Sequence, residues 1–228
     1  MSDMILERND GAVVVLTLNQ PERANPLSSQ LVADLHAALR RAETDPSTRA
    51  VVLAGAGRHF SAGADLDALQ RLAAGGDVAA AHRDTENLKA LYETLLGHRK
   101  LTVAAVHGAA VAGGCGLATA CDFVVAEPGA RFAYTEVKIG FLAAMVLTFL
   151  TRRVPGHVAR RMLLDPEMID GDRAVALGLA DELVPEGAGL ESAIALAKRV
   201  CSKASPSALA ATKALLNESV GLGWREAL

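Results

Sequence analysis

Short apolar runs alternate with amphipathic stretches along the first half of the chain. Three runs, Val13–Leu18, 50–53 and Leu101–Val106, are rich in β-branched residues and bounded by turn residues, which is typical of buried strands. Two stretches between them have apolar residues at helical spacing, and the first helix is predicted to begin after Ser28 or Ser29. The apolar positions of these helices are Leu31, Leu35, Ala38, Leu39 and Ala42, and then Leu88, Leu91 and Leu95. The pattern predicts an α/β fold.

The last third of the chain has the periodicity of helices over 142–154, 158–164, 172–179, 190–202 and 207–218. We therefore divide the chain into a core over 1–187 and a carboxy-terminal helical segment over 188–228. This segment has more apolar positions than a short appendage can bury on itself, which indicates that it mediates oligomerisation. Those positions are Leu190, Ile194, Leu196, Leu209, Leu215 and Leu216.

Composition and charge exclude several classes of partner. A chain of 228 residues with a net charge of −3 and scattered basic residues does not fit a nucleic-acid-binding protein. No uncharged apolar run is long enough to span a membrane, and the first residues lack the features of a signal peptide, so we expect a cytoplasmic protein. The three cysteines and six histidines lack metal-binding spacing, so we expect no metal site.

Two glycine-containing segments follow apolar runs. GAAVAGGCGLATACD (108–122) has three glycines within four positions, and HFSAGADL (59–66) follows the second strand. The glycines either allow a helix to pack closely on a sheet or let backbone N–H groups approach a ligand. If both strands end at one edge of a sheet, those N–H groups can converge on one oxygen and stabilise an anion developing at a carbonyl. Neither segment has a nucleotide-binding motif, and Ser61 lacks the context of a nucleophilic serine.

Three segments, HFSAGADL, TVAAVHGAAVAGGCGLATACDFVVAE (102–127) and RFAYTEVKIG (131–140), resemble in this order the enoyl-CoA hydratase/isomerase (crotonase) family. NQPERANPLS (19–28) resembles the N-R-P-x-x-x-N-A-L start of the family. The resemblance implies a crotonase-like spiral of β-β-α repeats with a helical carboxy-terminal segment, assembled as a homotrimer or a dimer of trimers. It also implies an acyl-CoA thioester substrate and no separate cofactor, because coenzyme A is part of the substrate.

By this resemblance, the N–H groups of Ala64 and Gly113 form an oxyanion hole for the thioester oxygen. The loop that contains Ala62, Asp65, Leu66 and Asp67 would line the CoA moiety, and Arg23 would lie near the CoA phosphates. Gly114 and Gly116 would leave room for the acyl chain. Glu136 would be the general acid/base.

One departure from the family concerns the reaction. Hydratases of this family hold a water between two glutamates, and the first of these positions is Gly116 here. A single carboxylate, Glu136, suits double-bond isomerisation, while hydration would lack a second group to hold the water. Decarboxylation or ring isomerisation of a CoA thioester is a third possible reaction, and a catalytically silent acyl-CoA binder is the candidate from another class of protein. If the missing glutamate limits hydration, Gly116→Glu should increase it.

Overall fold

The computed structural model describes residues 3–65, 68, 70 and 74–219. Within that part of the chain, six strands form the main sheet in the order β1-β2-β4-β6-β8-β11, and only β1 is antiparallel to its neighbour. Every other neighbouring pair in this sheet is parallel. The strands are β1 (Ile5–Asp10), β2 (Val13–Leu18), β4 (Ala50–Gly55), β6 (Leu101–Val106), β8 (Phe123–Ala126) and β11 (Glu182–Leu183).

The central strands are buried on both faces, which explains their nearly continuous apolar sequences. In β2, Val14 and Leu16 pack into the larger core, while Val13 and Val15 pack into a second core on the opposite face of the sheet. The predicted strands Val13–Leu18 and Leu101–Val106 are confirmed, and the strand predicted over 50–53 continues to Gly55.

Eight α-helices are described over their full length. The N-cap of the first is Ser28, whose Oγ accepts a hydrogen bond from the Leu31 amide at 3.3 Å, so a start after Ser29 is excluded. The seventh helix covers the second face of the main sheet with Ile194 and Leu196. The helices are α1 (Ser29–Thr44), α2 (Val78–Leu96), α3 (Gly113–Ala120), α4 (Ala144–Arg153), α5 (Gly156–Leu164), α6 (Gly171–Ala176), α7 (Gly189–Lys203) and α8 (Pro206–Glu218).

These helices confirm the two amphipathic helices predicted in the first half of the chain and the mainly helical structure predicted for its last third. Residues of the carboxy-terminal segment differ in exposure: Ile194 and Leu196 are buried against the sheet, while Leu215 and Leu216 are more than 60% exposed. The division at residue 188 stays a prediction, although α7 shares a core with the strands. No described helix has the length and apolar character that a membrane span requires.

A second layer of short strands positions the loops that follow the main strands. β7 (Ala109–Val111) pairs in parallel with β9 (Arg131–Ala133), and β9 pairs with β10 (Ile169–Asp170). Ser61 bridges Ala110 in parallel, and β3 (Pro26–Leu27) pairs in parallel with β5 (Gly63–Ala64). Because the segments at Ser61, β7 and β9 run in the same direction, the residues that follow them leave the layer at the same edge.

Candidate active site

A cavity of about 770 Å³ opens at this edge, bounded by α2, the start of α3 and the segment before α4. Five of the residues selected from the sequence line it: Ala62, Ala64, Asp65, Gly113 and Glu136. They come from the ends of the three parallel segments, so the convergence of the two glycine-containing loops that the sequence suggested is present in the fold.

The first loop is held by Ser61 and Asn25, which are both fully buried. The Ser61 hydroxyl donates to the Asn25 carbonyl at 2.8 Å and accepts from the Gly63 amide at 3.2 Å. The Asn25 amide group donates to the carbonyl oxygens of Ala56 and His59. Ser61 therefore fixes the loop before Ala64, and its hydroxyl is engaged in structural hydrogen bonds.

The loops of Ala64 and Gly113 are in direct contact. Gly63 has a φ of +83°, and a Cβ placed on it would lie 3.2 Å from the Gly113 nitrogen and overlap the Val111 carbonyl oxygen. Glycine at position 63 therefore allows the backbones to approach more closely than any side chain would permit.

Gly113 is the first residue of α3, and the first amides of a helix have no intrahelical acceptor. The preceding residue, Ala112, has φ +48° and ψ −122°, a conformation that is strained for a residue with a Cβ. The Ala112 amide donates to the Ala133 carbonyl at 2.8 Å, which ties the start of α3 to the end of β9. Backbone strain of this kind clusters at functional sites.

Glu136 follows β9 by three residues and begins a short 3₁₀ helix, Glu136–Ile139. Its Oε2 atom is buried and has no hydrogen-bond partner among the described residues. Burial raises the pKa of Glu136, and the backbone N–H groups of Glu136 and Thr135 offset part of that rise. Burying a carboxylate oxygen without a hydrogen-bond partner costs free energy. Such an atom is therefore typical of a site that binds a hydrogen-bonding ligand.

Gly116 does not line the cavity, contrary to the expectation that it leaves room for an acyl chain. A Cβ at this position would lie 2.6 Å from the Tyr92 hydroxyl oxygen and 2.7 Å from Cγ1 of Val146. Gly114 likewise packs against the backbone and side chain of Ser61. The lack of a side chain at both glycines therefore allows close packing, and the Tyr92 side chain occupies the space beside Gly116.

Tyr92 is the last residue of α2 that lines the cavity, and it is only 3% exposed. Its hydroxyl donates to the Gly113 carbonyl at 2.9 Å, and its ring packs on Phe149 with ring centroids 5.3 Å apart. Burial and, next, the negative charge of Glu136 raise the pKa of Tyr92, so the phenol is neutral at physiological pH. Tyr92 is not among the residues selected from the sequence, because its position is typical of the apolar face of a helix.

Arg23 lies outside the set of residues that line the cavity. Its guanidinium is 3.1 Å from Asp65, which does line it, so the structure brings together two residues selected from different motifs. Leu66 and Asp67 lie outside the described residues. Among the described residues, no group of three His, Cys, Asp or Glu side chains could hold a metal ion.

Comparisons with known proteins agree with this architecture. The family model for enoyl-CoA hydratase/isomerase matches residues 8–223. A Thermus thermophilus protein that carries an enoyl-CoA hydratase name is 47% identical over 216 residues, which are 95% of this chain and 85% of that protein. The 2,3-dehydroadipyl-CoA hydratase of Escherichia coli is 37% identical over 220 residues, which are 96% of this chain and 83% of that enzyme.

Solved structures show the same fold. The crystal structure of an enoyl-CoA hydratase from Polaromonas sp. JS666 superposes with a TM-score of 0.92 at 32% identity and covers 98% of this chain and 86% of that one. The fold is therefore that of the crotonases, as the motifs implied. The chain belongs to the enoyl-CoA hydratase/isomerase family, whose members process acyl-CoA thioesters.

Proposed function

We propose that this protein adds water reversibly to a 2-enoyl-CoA thioester, with the Ala64 and Gly113 amides as the oxyanion hole and Glu136 as the single carboxylate acid/base. The observation that carries the proposal is the buried, unpartnered Oε2 of Glu136 in the same cavity as the Gly113 amide. The hydratase names of the relatives support addition of water as the reaction.

In this reaction Glu136 begins as the carboxylate. It takes a proton from water while the water oxygen forms a bond to C3, and the electron pair of the C2–C3 double bond moves onto the thioester oxygen as an enolate. The two backbone amides stabilise the developing negative charge, an effect worth about 2.7–4 kcal/mol per donor in comparable sites. Glu136 then returns the proton to C2, which regenerates the carboxylate and completes the addition of one water.

Double-bond isomerisation of a 3-enoyl-CoA is the second candidate, and Gly116 is the observation that favours it. Position 116 has no side chain and therefore no second carboxylate, and Tyr92 and Val146 leave no room for one. The same enolate and the same carboxylate would move a proton from C2 to C4 without a water.

We further propose that the CoA moiety lies along the loop of Ala62 and Asp65, with Arg23 toward its phosphates. The Arg23–Asp65 ion pair supports this proposal, because it attaches the cation to a residue that lines the cavity. Leu66 and Asp67 stay predicted CoA-binding residues, and the cytoplasmic location stays a prediction.

The test of the function is turnover of crotonyl-CoA and a 3-enoyl-CoA by the purified protein. We expect the absorbance of the conjugated thioester to fall with crotonyl-CoA, and the product to be 3-hydroxybutyryl-CoA by mass spectrometry. Conversion of the 3-enoyl-CoA to its conjugated isomer without any hydration of a panel of 2-enoyl-CoA esters would establish the second candidate instead. Binding without either reaction would indicate a silent acyl-CoA binder.

We also propose a homotrimer or a dimer of trimers, with α8 at the subunit interface. α8 has no buried residue, and Leu215 and Leu216 are 62% and 64% exposed. Light scattering at micromolar concentration is expected to give a multiple of three chain masses. The variant with lysine at both 215 and 216 should shift toward monomer, whereas Leu164→Lys, at an equally exposed leucine of α5, should not. A monomeric wild-type protein would contradict this proposal.

A further inference from the structure

Two buried oxygen atoms of the cavity have unused hydrogen-bonding capacity. Oε2 of Glu136 has no donor among the described residues. The Tyr92 hydroxyl uses its proton for the Gly113 carbonyl, and its own lone pairs receive no donor from the part of the chain that the structure describes. Both residues line the same cavity, and the charge of Glu136 acts on Tyr92.

A water molecule has two hydrogens to donate, which matches the need of two acceptor oxygens that line one cavity. Polar cavities of sufficient size hold such waters when two or more protein atoms can bind them. Two contacts hold the Tyr92 side chain in position: its hydrogen bond to the Gly113 carbonyl and the packing of its ring on Phe149. Gly116 has no side chain, which leaves room for the Tyr92 hydroxyl. A Cβ at position 116 would lie only 2.6 Å from the hydroxyl oxygen.

We propose, on the basis of the proposed hydration reaction, that Tyr92 and Glu136 together bind the reacting water, with one water hydrogen donated to Oε2 of Glu136 and the other to the Tyr92 hydroxyl oxygen. Glu136 removes the first hydrogen as a proton when the water oxygen bonds to C3, and Tyr92 keeps the second hydrogen bond, so the oxygen stays oriented. A neutral phenol thereby supplies the second water contact in a cavity with no carboxylate at position 116.

Tyr92→Phe is the test, because it keeps the ring on Phe149 and removes the hydroxyl, with its hydrogen bonds to the Gly113 carbonyl and to the proposed water. We expect kcat for hydration of crotonyl-CoA to fall about tenfold, as the loss of the neutral hydrogen bond to the reacting water allows. Affinity for butyryl-CoA, which lacks the double bond, should stay within about twofold of wild type. The matched control is Tyr134→Phe, which removes a buried phenol oxygen that bonds Thr119 outside the cavity and should leave kcat unchanged.

A second readout separates water binding from a general structural role. Exchange of the C2 protons of butyryl-CoA in D₂O, followed by NMR, needs Glu136 and the oxyanion hole but adds no water to the substrate. Tyr92→Phe should leave this exchange rate unchanged while hydration falls. Equal losses in both rates, or an unchanged rate of hydration, would overturn the proposal.

The water itself can be observed independently of turnover. A high-resolution crystal structure of the wild-type protein with butyryl-CoA should contain a water within about 3.2 Å of both the Tyr92 hydroxyl and a Glu136 carboxylate oxygen. Absence of that water would reject the role of Tyr92 even if Tyr92→Phe does not fold. If the water is present but no 2-enoyl-CoA is hydrated, the proposed function fails and the water site stands.

Discussion

Replacement of Glu136 by glutamine is expected to lower kcat for crotonyl-CoA by at least about 10²-fold, the usual contribution of general acid/base catalysis. Glutamine keeps the size of the side chain but can neither take the proton of the water nor return one to C2. Binding of butyryl-CoA should change little, because the two backbone amides of the proposed oxyanion hole remain. Glu191→Gln makes the same chemical change at an exposed glutamate outside the cavity and should retain full activity. Near wild-type turnover by Glu136→Gln would show that another group moves the proton.

The pH dependence follows from the state of the same carboxyl group. Burial raises the pKa of Glu136. The proposed reaction begins from the ionised form of this carboxyl group. The kcat/KM for hydration should therefore fall as the pH is lowered through a value above the usual glutamate range near 4.3. This fall in activity at low pH, the acid limb of the pH profile, should be missing from the residual activity of Glu136→Gln. An acid limb at or below the usual range would mean that the free enzyme does not bury this carboxyl group as described.

Gly116→Glu is expected to destabilise the fold and to give no gain in hydration, although comparison of motifs alone suggests the opposite. The new side chain would meet the Tyr92 hydroxyl and Val146, both of which are buried. Overpacking and an unpaired buried carboxylate together should lower the free energy of unfolding by about 3 kcal/mol or more. Chemical denaturation followed by circular dichroism measures this loss, and crotonyl-CoA turnover measures the activity.

Two further variants identify the cause of that loss. Gly156→Glu, at the first residue of α5 where a Cβ would meet no atom within 4 Å, should be nearly neutral. Adding Tyr92→Ala to Gly116→Glu should cost much less than the sum of the single changes, because it removes the side chain that the glutamate meets. A Gly116→Glu protein with wild-type stability and faster hydration would show that Tyr92 does not occupy this space firmly.

The strand and helix predictions succeeded where a segment carries a long pattern of its own. β2 and β6 have unbroken apolar sequences because both of their faces are buried, and α1 has an apolar face and a serine cap. β1, an edge strand in which only Ile5 is buried, was not predicted, and neither were the strands of two to four residues, such as β5 and β9. Segments this short have no detectable period, and each forms because a partner strand lies beside it.

The sequence by itself determined the family and the α/β core, and it singled out the residues that we propose as backbone donors and as the one carboxylate, because each of these depends on a local motif or pattern. Only the tertiary structure decided what surrounds Gly116. Tyr92 lies 21 residues before Gly113 on a different helix, and its contact with α3 depends on how α2 packs against that helix. Side chains that meet across helices are positioned by packing of the whole core, so no local pattern could indicate that a phenol lies where the motif lacks a carboxylate.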